Sequence, residues 1–354
     1  MQEKVSIIVP LHNGINYLER CIRALLNQSY QNTEILLIND GSTDRSGELC
    51  EEWAGQYENI KVFHTQGEGV SVARNRGLEE SSGAYLTFVD VDDCPAKDMI
   101  AYLLRLLQQT GCDVAGCSFY SFHQWSDQSG IDDREASIIG SYGEESGKDD
   151  GKKTVTDRDI ADRFPIEILT GMEFIEKGIV KSDTRCWSKL YRRESVGKLR
   201  FRKGLSIGED MLFLLDLAVS GVSFCRSSYP GYGYFINEQG AMRKSFQDSY
   251  MDQITCWQMA LTIIEEKAPA ASVQAVAILI VSILLVVGKL ALLPRKERDN
   301  KKELLDRCYA LIQDYRTNRQ AVQLLNPGYK AKLLLYACFP GLYLDLYYRL
   351  KKER

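Results

Sequence analysis

The chain has 354 residues, enough for about two domains. With 45% hydrophobic and 26% charged residues it can build a full core, which excludes global disorder. A net charge of −4 argues against a nucleic-acid partner held by a general positive field.

The opening MQEKVSIIVP has acidic and polar residues and too short an apolar run before Pro10 to read as a signal peptide. Ten cysteines without framework spacing and without a C-x-x-C pair then suggest reduced thiols in a cytosolic protein. His12, His64 and His123 lie too far apart in sequence to suggest a Cys/His zinc site.

Residues 4–9 (KVSIIV) read as a buried strand ended by Pro10. Leu18, Ile22, Leu25 and Leu26 recur at helical spacing over residues 16–28. Residues 34–38 (EILLI) form a second strand, and Asp40-Gly41 a turn. Ser42 or Thr43 can cap a helix reaching about Tyr57. Strands follow at 60–64, 85–89 and 113–117, with helices at 70–78 and from Pro95 to about Gln109.

Strands alternating with helices imply an α/β fold: a mostly parallel sheet flanked by helices. In such sheets ligands sit beyond the carboxyl ends of the strands, where strand order reverses. The polar clusters fall there: His12 and Asn13, then Asp40, then Asp90, Asp92 and Asp93.

Residues 125–163 hold eleven Asp/Glu against six Lys/Arg, with many Gly and Ser. They read as a surface insertion at about 121–167, either a solvated loop or a lid. Helices are expected at 172–180 and 210–219, a short element at 187–191, and strands at 222–225 and 232–236. From residue 246 onward the pattern is helical. Residues 1–245 and 246–354 thus read as two domains.

Residues 275–287 are apolar except for Ser282, but thirteen is short of the roughly 20 that span a bilayer. They read as the buried helix of a bundle. The tail from 328 to 354 has six Lys/Arg against two Asp/Glu. Its Phe339, Leu342, Tyr343, Leu346, Tyr347 and Leu350 repeat at three and four residues. This suits either peripheral membrane contact or a helix that covers the bundle.

Three carboxylates within Asp90-Val91-Asp92-Asp93 repel one another unless a cation or donor hydrogen bonds offset them. A hard cation such as Mg²⁺ or Mn²⁺ takes one or two carboxylates together with substrate phosphates. The spacing after a strand therefore points to a metal–diphosphate site. Asp93 can instead cap the helix that Pro95 opens. Asp40 can accept hydrogen bonds from a base or ribose, or simply belong to the turn. Gly67-Glu68-Gly69 with Arg74-Asn75-Arg76 offers flexible backbone and cations for phosphate, or a solvated helix face. Glu209-Asp210 either caps a helix or supplies a general base. No G-x-G-x-x-G or P-loop follows the first strand, which disfavours a dinucleotide-binding dehydrogenase.

In this order the pieces resemble family 2 of the inverting glycosyltransferases with the GT-A fold, of the bacterial cell-surface polysaccharide type. The resemblance rests on Val5–Pro10 with Asn13, Asn39–Asp44, Ala73–Gly77, Asp90–Asp93, Trp187-Ser188-Lys189-Leu190-Tyr191 and Gly208-Glu209-Asp210. His12 stands where many members carry an aromatic residue. The resemblance implies a nucleotide-diphosphate-sugar donor, often a UDP-sugar, with Mg²⁺ or Mn²⁺. Pro10, Leu11, His12, Asn13 and Asp40 would hold base and ribose. Arg74 would lie near the nucleotide or diphosphate and Asp90 would face the ribose, with Gly69 and Val91 also among the nucleotide-sugar-binding residues. Asp92 would bind the metal, with Asp93 supporting. Trp187, Lys189 and Glu209 would shape the donor-sugar and acceptor side. Asp210 would take the proton of the acceptor hydroxyl, on a saccharide or lipid-linked saccharide. A sugar nucleotidyltransferase and a non-catalytic sugar-nucleotide-binding protein remain as alternatives. The resemblance gives no place to a nucleic acid.

Overall fold

The computed structural model describes residues 3–123, 164–237 and 245–352. The insertion expected at about 121–167 therefore falls mostly outside the described residues. Two compact units divide the chain. The first comprises Met1–Gly171, Arg185–Gly204 and Asp216–Glu238; the second comprises Met172–Thr184, Leu205–Leu215 and Gln239–Arg354.

The first unit is built by β1 (Val5–Leu11), α1 (Ile15–Leu26), β2 (Thr33–Asp40), α2 (Ser46–Ala54), β3 (Ile60–Thr65), α3 (Val70–Glu80) and β4 (Tyr85–Phe88). It continues with β5 (Cys94–Pro95), α4 (Met99–Thr110), β6 (Val114–Phe122) and β7 (Ile166–Leu169). Beyond α5 (Gly171–Lys177) come β8 (Lys189–Arg192), α6 (Arg193–Val196), α7 (Glu209–Val219) and β9 (Phe224–Phe235). Helix α5 lies mostly in the second unit, and the first half of α7 belongs there as well.

Every residue of β1 and β2 is buried, as expected for strands covered on both faces. Val5, Ile7 and Val9 join Leu18, Ile22 and Leu25 of α1 and Leu103 and Leu107 of α4 in one core cluster. Ile8 points to the other face, where Gly77 of α3 lies so close that a Cβ there would meet its side chain. The sheet is mixed, in the order β3-β2-β1-β4-β8-β6-β9-β5, with β7 on β9. Strands β3, β2, β1 and β4 run parallel. Strand β8 then enters antiparallel between β4 and β6. Order reverses at β1, which puts a switch point between β1 and β4.

Three local expectations change. Pro10 lies inside β1, opposite Ile38, instead of ending it. Pairing with β4 stops at Ile8, so no partner on that side requires the missing proline N–H. Helix α4 starts at Met99, not Pro95, because Cys94 and Pro95 pair with Gly233 and Tyr232. The strands expected at 222–225 and 232–236 form one strand, β9. Its Pro230 and Gly231 read as a break, but irregular pairing with β6 between Gly116 and Phe119 accommodates them.

Glu34 on β2 is buried yet fully engaged. One carboxylate oxygen accepts Ser6 Oγ at 2.6 Å and Ser82 Oγ at 2.8 Å; the other meets Lys61 Nζ at 2.9 Å. Burial pushes the carboxyl up, but these bonds outweigh it and bring the group down to about 2. A depressed acid stabilises the fold above its ordinary value near 4.5 and loses that contribution as pH falls toward 2. Glu34→Gln is expected to cost about 1–3 kcal/mol at pH 7, with the deficit shrinking at pH 2.5. Urea melts of both proteins at the two pH values check this.

The second unit contains α8 (Met251–Lys267), α9 (Ser272–Ala291), α10 (Arg295–Asp299), α11 (Lys302–Tyr315), α12 (Arg319–Leu324), α13 (Pro327–Cys338) and α14 (Pro340–Lys352). Helix α9 is its centre: α8, α11, α12, α13 and α14 all pack on it. By length and composition the stretch Pro269–Ala291 could cross a membrane, and 61% of its most apolar window is buried inside the protein. Lys289 within it sends its ammonium to Tyr250, 3.3 Å from the phenol oxygen. All ten cysteines are free thiols.

Candidate active site

The loops after β1 and β2 are knitted together by Asn13. Its side-chain oxygen accepts the N–H groups of Thr43 at 2.7 Å and Asp44 at 3.2 Å, and its own N–H donates to Ser42 Oγ at 2.9 Å. Ser42 and Thr43 are thus engaged with Asn13 rather than capping a helix. Helix α2 begins instead at Ser46, whose N–H donates to Asp44 Oδ1. His12 is exposed, and its ring is fixed at both nitrogens. Nδ1–H donates to the Asp40 carbonyl at 2.7 Å, which leaves Nε2 to accept from Asn13 at 3.2 Å. Pro10 and Leu11 form the buried strand end beneath it.

Asp40 ends β2 and organises the neighbouring loop. Oδ1 accepts Thr65 Oγ1 at 2.6 Å and the N–H groups of Gly67 and Glu68 at 3.0 Å; Oδ2 accepts Gly69 N–H at 2.7 Å. The loop passes so close that a Cβ at Gly41 would sit 2.7 Å from Gly67 N, and Gly41 has φ +63°. These carboxylate oxygens and amides are engaged with one another, and they fix the entry to α3.

From α3, the buried Arg74 reaches Asp90 at 3.0 Å and lays its guanidinium 5.3 Å from the Phe201 ring. Asp90 begins the acidic loop at the carboxyl end of β4, beside the switch point. Val91 packs against Gly14, where a Cβ would be 3.2 Å from its methyl. Asp93 is fully buried; it accepts the Tyr232 hydroxyl at 2.7 Å and Phe235 N–H at 2.9 Å. Capping does not describe it, since α4 begins six residues later, at Met99. Burial, then Asp90 and Asp92, push its carboxyl well above the usual range. Asp92 contacts Asn237 at 3.5 Å, and burial followed by the Asp90 charge lifts it to about 6.

Tyr232 on β9 is the residue that sequence reasoning passed over. Its hydroxyl donates to Asp93 and accepts Asp90 N–H at 3.2 Å, so it holds both ends of the acidic loop. Alternation in the YPGYGYF run was visible, but which tyrosine faces the loop depends on the bulged register with β6. Trp187 stacks on Tyr232 at 4.5 Å and on Tyr234 at 5.4 Å, with Arg185 5.3 Å from its ring. Lys189 is buried in β8 and donates to the Arg185 carbonyl at 2.9 Å. Tyr232→Phe is expected to cost about 1–3 kcal/mol, because it leaves a buried carboxyl short of a donor. A guanidinium melt of the variant measures that cost.

The first unit thus gathers Pro10, Leu11, His12, Asn13, Asp40, Gly69, Arg74, Asp90, Val91, Asp92, Asp93, Trp187 and Lys189. Glu209 and Asp210 stand in the second unit, in the first turn of α7. There α8 fixes the preceding loop: Asp252 accepts Ser206 N–H at 2.8 Å, and Cys256 Sγ lies 3.1 Å from the Ile207 carbonyl. Asp210 is the more exposed of the two.

Among the described residues, no group of three or more His, Cys, Asp or Glu side chains is set as a metal cage. The acidic loop fits a different arrangement. Asp93 is engaged with Tyr232 and Asp90 with Arg74, while burial, and after it the charge of Asp90, disfavours ionised Asp92. Such hard oxygen donors suit a divalent ion that completes its shell with phosphates and water.

A parallel half-sheet with an acidic loop at its switch point and an antiparallel strand inserted beyond it is a sheet of the GT-A type. The model of Glycosyl transferase family 2 matches residues 6–198, more than half of the chain, and the chain belongs to that family. It is 40% identical over 124 residues to glycosyltransferase GlyA of Streptococcus pneumoniae serotype 4, covering 35% of this chain and 18% of that relative. Among solved structures, residues 1–349 of S. aureus TarS in complex with UDP-GlcNAc match with a TM-score of 0.60 at 18% identity, over 98% of this chain and 89% of that one. The mannosyltransferase PcManGT of Pyrobaculum calidifontis, in complex with GDP-Man and Mn²⁺, matches at 0.53 and 14% identity, over 96% and 88%. The two structural likenesses bear on the fold.

Proposed function

We propose that this glycosyltransferase moves a sugar from a nucleotide-diphosphate donor, a UDP-sugar, to a hydroxyl of a saccharide or lipid-linked saccharide, with inversion, in the assembly of bacterial surface polysaccharide. Residues 1–245 serve as the catalytic part and 246–354 as a helical region. The observation that carries this reading is the acidic loop Asp90–Asp93, tied to Arg74 on one side and to Tyr232 on the other, at the switch point of a family 2 sheet. TarS with UDP-GlcNAc and PcManGT with GDP-Man and Mn²⁺ support a nucleotide-sugar donor and a divalent ion.

His12, with Pro10 and Leu11 beneath it, lies against the base. Asp40 acts by shaping the Gly67–Gly69 loop beside the ribose and diphosphate. Arg74 steadies Asp90 on the ribose side. Asp92 holds Mg²⁺ or Mn²⁺, and Asp93 keeps the loop in place. When bound, the ion offsets the charge that grows on the departing diphosphate. Trp187 and Lys189 shape the donor-sugar side, Glu209 the acceptor side. Asp210 takes the proton of the incoming hydroxyl. One base and one displacement suffice, and the anomeric centre inverts.

Because ligands that bind the folded state raise its melting temperature, a thermal-shift screen of UDP- and GDP-sugars with Mn²⁺ or Mg²⁺ tests the reading. A shift with one nucleotide sugar that vanishes in EDTA supports it. No shift with any donor and no slow donor hydrolysis would remove it. A lipid-linked acceptor would bring the reaction to a membrane on the cytoplasmic side, and the C-terminal tail is the segment proposed to meet that membrane.

A further inference from the structure

Helix α14 packs on α9 and α13 with one side and leaves a row of leucines uncovered on another. Leu342, Leu346 and Leu350 are 52%, 38% and 65% exposed, whereas Tyr343 is 2% exposed. Their spacing of four residues is about one helical turn, so they form a line along the helix. Leu334 of α13 and Phe339, the joint between the two helices, add apolar surface at 66% and 61% exposure. The helices run antiparallel: Tyr336 meets Tyr343 at 5.3 Å, and the Lys332 ammonium lies 5.7 Å from the Tyr347 ring. Lone exposed leucines are ordinary, but five large apolar side chains on one helical pair mark an interaction surface.

Charge selects the occupant. Lys330, Arg349 and Lys351 are exposed on the same pair of helices. Residues 328–354 carry six Lys/Arg against two Asp/Glu, a net +4, and the rest of the chain carries −8, which together give −4. A second copy docked here about a two-fold axis would bring these cations against their own images. An anionic lipid surface meets them with the opposite sign.

We propose that the α13–α14 face docks on an anionic bilayer. Leu334, Phe339, Leu342, Leu346 and Leu350 enter the headgroup–acyl boundary, and Lys330, Arg349 and Lys351 meet the phosphates. This deepens the reading of a membrane-borne acceptor by naming the residues and the lipid charge. Vesicle binding is measured without turnover, so either idea can fail while the other stands.

The test is co-sedimentation of the full chain with phosphatidylethanolamine vesicles containing about 30% phosphatidylglycerol, and with phosphatidylcholine vesicles. The protein is expected to bind the anionic vesicles and to bind the neutral ones far less, with binding weakened by 1 M salt. The pair Leu342→Glu and Leu346→Glu is expected to lower the bound fraction by about tenfold or more. The pair Arg349→Glu and Lys351→Glu is expected to act similarly, through charge alone. All four positions are exposed, so the melting temperatures should hold, and the charge pair serves if the leucine pair does not fold. Absence of wild-type binding, or equal binding by either folded variant pair, would overturn the proposal. So would a dimer by light scattering that the leucine variant dissolves while neither protein binds vesicles.

Discussion

Asp210→Asn is expected to lower turnover by about 10²–10⁴-fold while donor affinity stays at the wild-type level. An amide keeps the size and hydrogen-bonding reach of the side chain but cannot take up a proton, so the loss reports proton transfer rather than packing. Asp210 lies in the first turn of α7, and the preceding loop is tied to Asp252 and Cys256 of α8, so the position is fixed by the second unit's own packing. Glu209→Gln serves as the comparison. Glu209 is buried, at 8% exposure, and its variant is expected to lose stability before it loses chemistry. Donor titration by calorimetry and turnover with donor and acceptor separate the two quantities. Wild-type turnover in Asp210→Asn would take the role away from this residue.

Asp92→Asn is expected to abolish the metal-dependent part of donor binding and, in metal-free protein, to raise the melting temperature. Both effects come from one geometry. Asp92 shares a half-buried loop with Asp90 and Asp93, and burial and like charge lift its carboxyl to about 6. A raised acid makes the fold less stable as pH climbs through that value, so at pH 7 the ionised side chain opposes folding. The neutral amide removes about 1–3 kcal/mol of that strain. The same substitution removes the anionic oxygen that would hold Mg²⁺ or Mn²⁺. Stability gained with binding lost is a pairing that a merely structural residue would not give. Calorimetric titration with UDP and Mn²⁺, alongside melting in EDTA, measures both. An unchanged affinity would count against Asp92 as the ligand.

The ordinary residues of the acidic loop show where sequence reasoning stops. That three carboxylates follow β4 was plain from spacing, and so was their placement at the carboxyl end of a parallel strand. Their division of labour was not. Asp93 looked equally able to cap α4, and only the pairing of Cys94 and Pro95 with β9 shows that the helix begins later. Tyr232, which ties Asp90 to Asp93, is far from both in sequence and meets them through a bulged strand. Asp40 read either as an acceptor for a ligand or as part of its turn, and pattern alone could not show that both its oxygens are engaged by residues 65–69.

The sequence alone determined what depends on local pattern. Buried strands, amphipathic helices and the polar clusters between them follow from hydrophobic period and turn chemistry, which act over a few residues. It also determined the family, because several short motifs in fixed order are jointly specific. Tertiary structure decided what depends on long-range pairing: the antiparallel entry of β8, the single strand β9, and which hydrogen-bond donor each aspartate meets. Hydrogen bonds saturate. Once distant segments are brought together, every donor committed to one carboxylate is withdrawn from another, and local sequence carries no record of that choice.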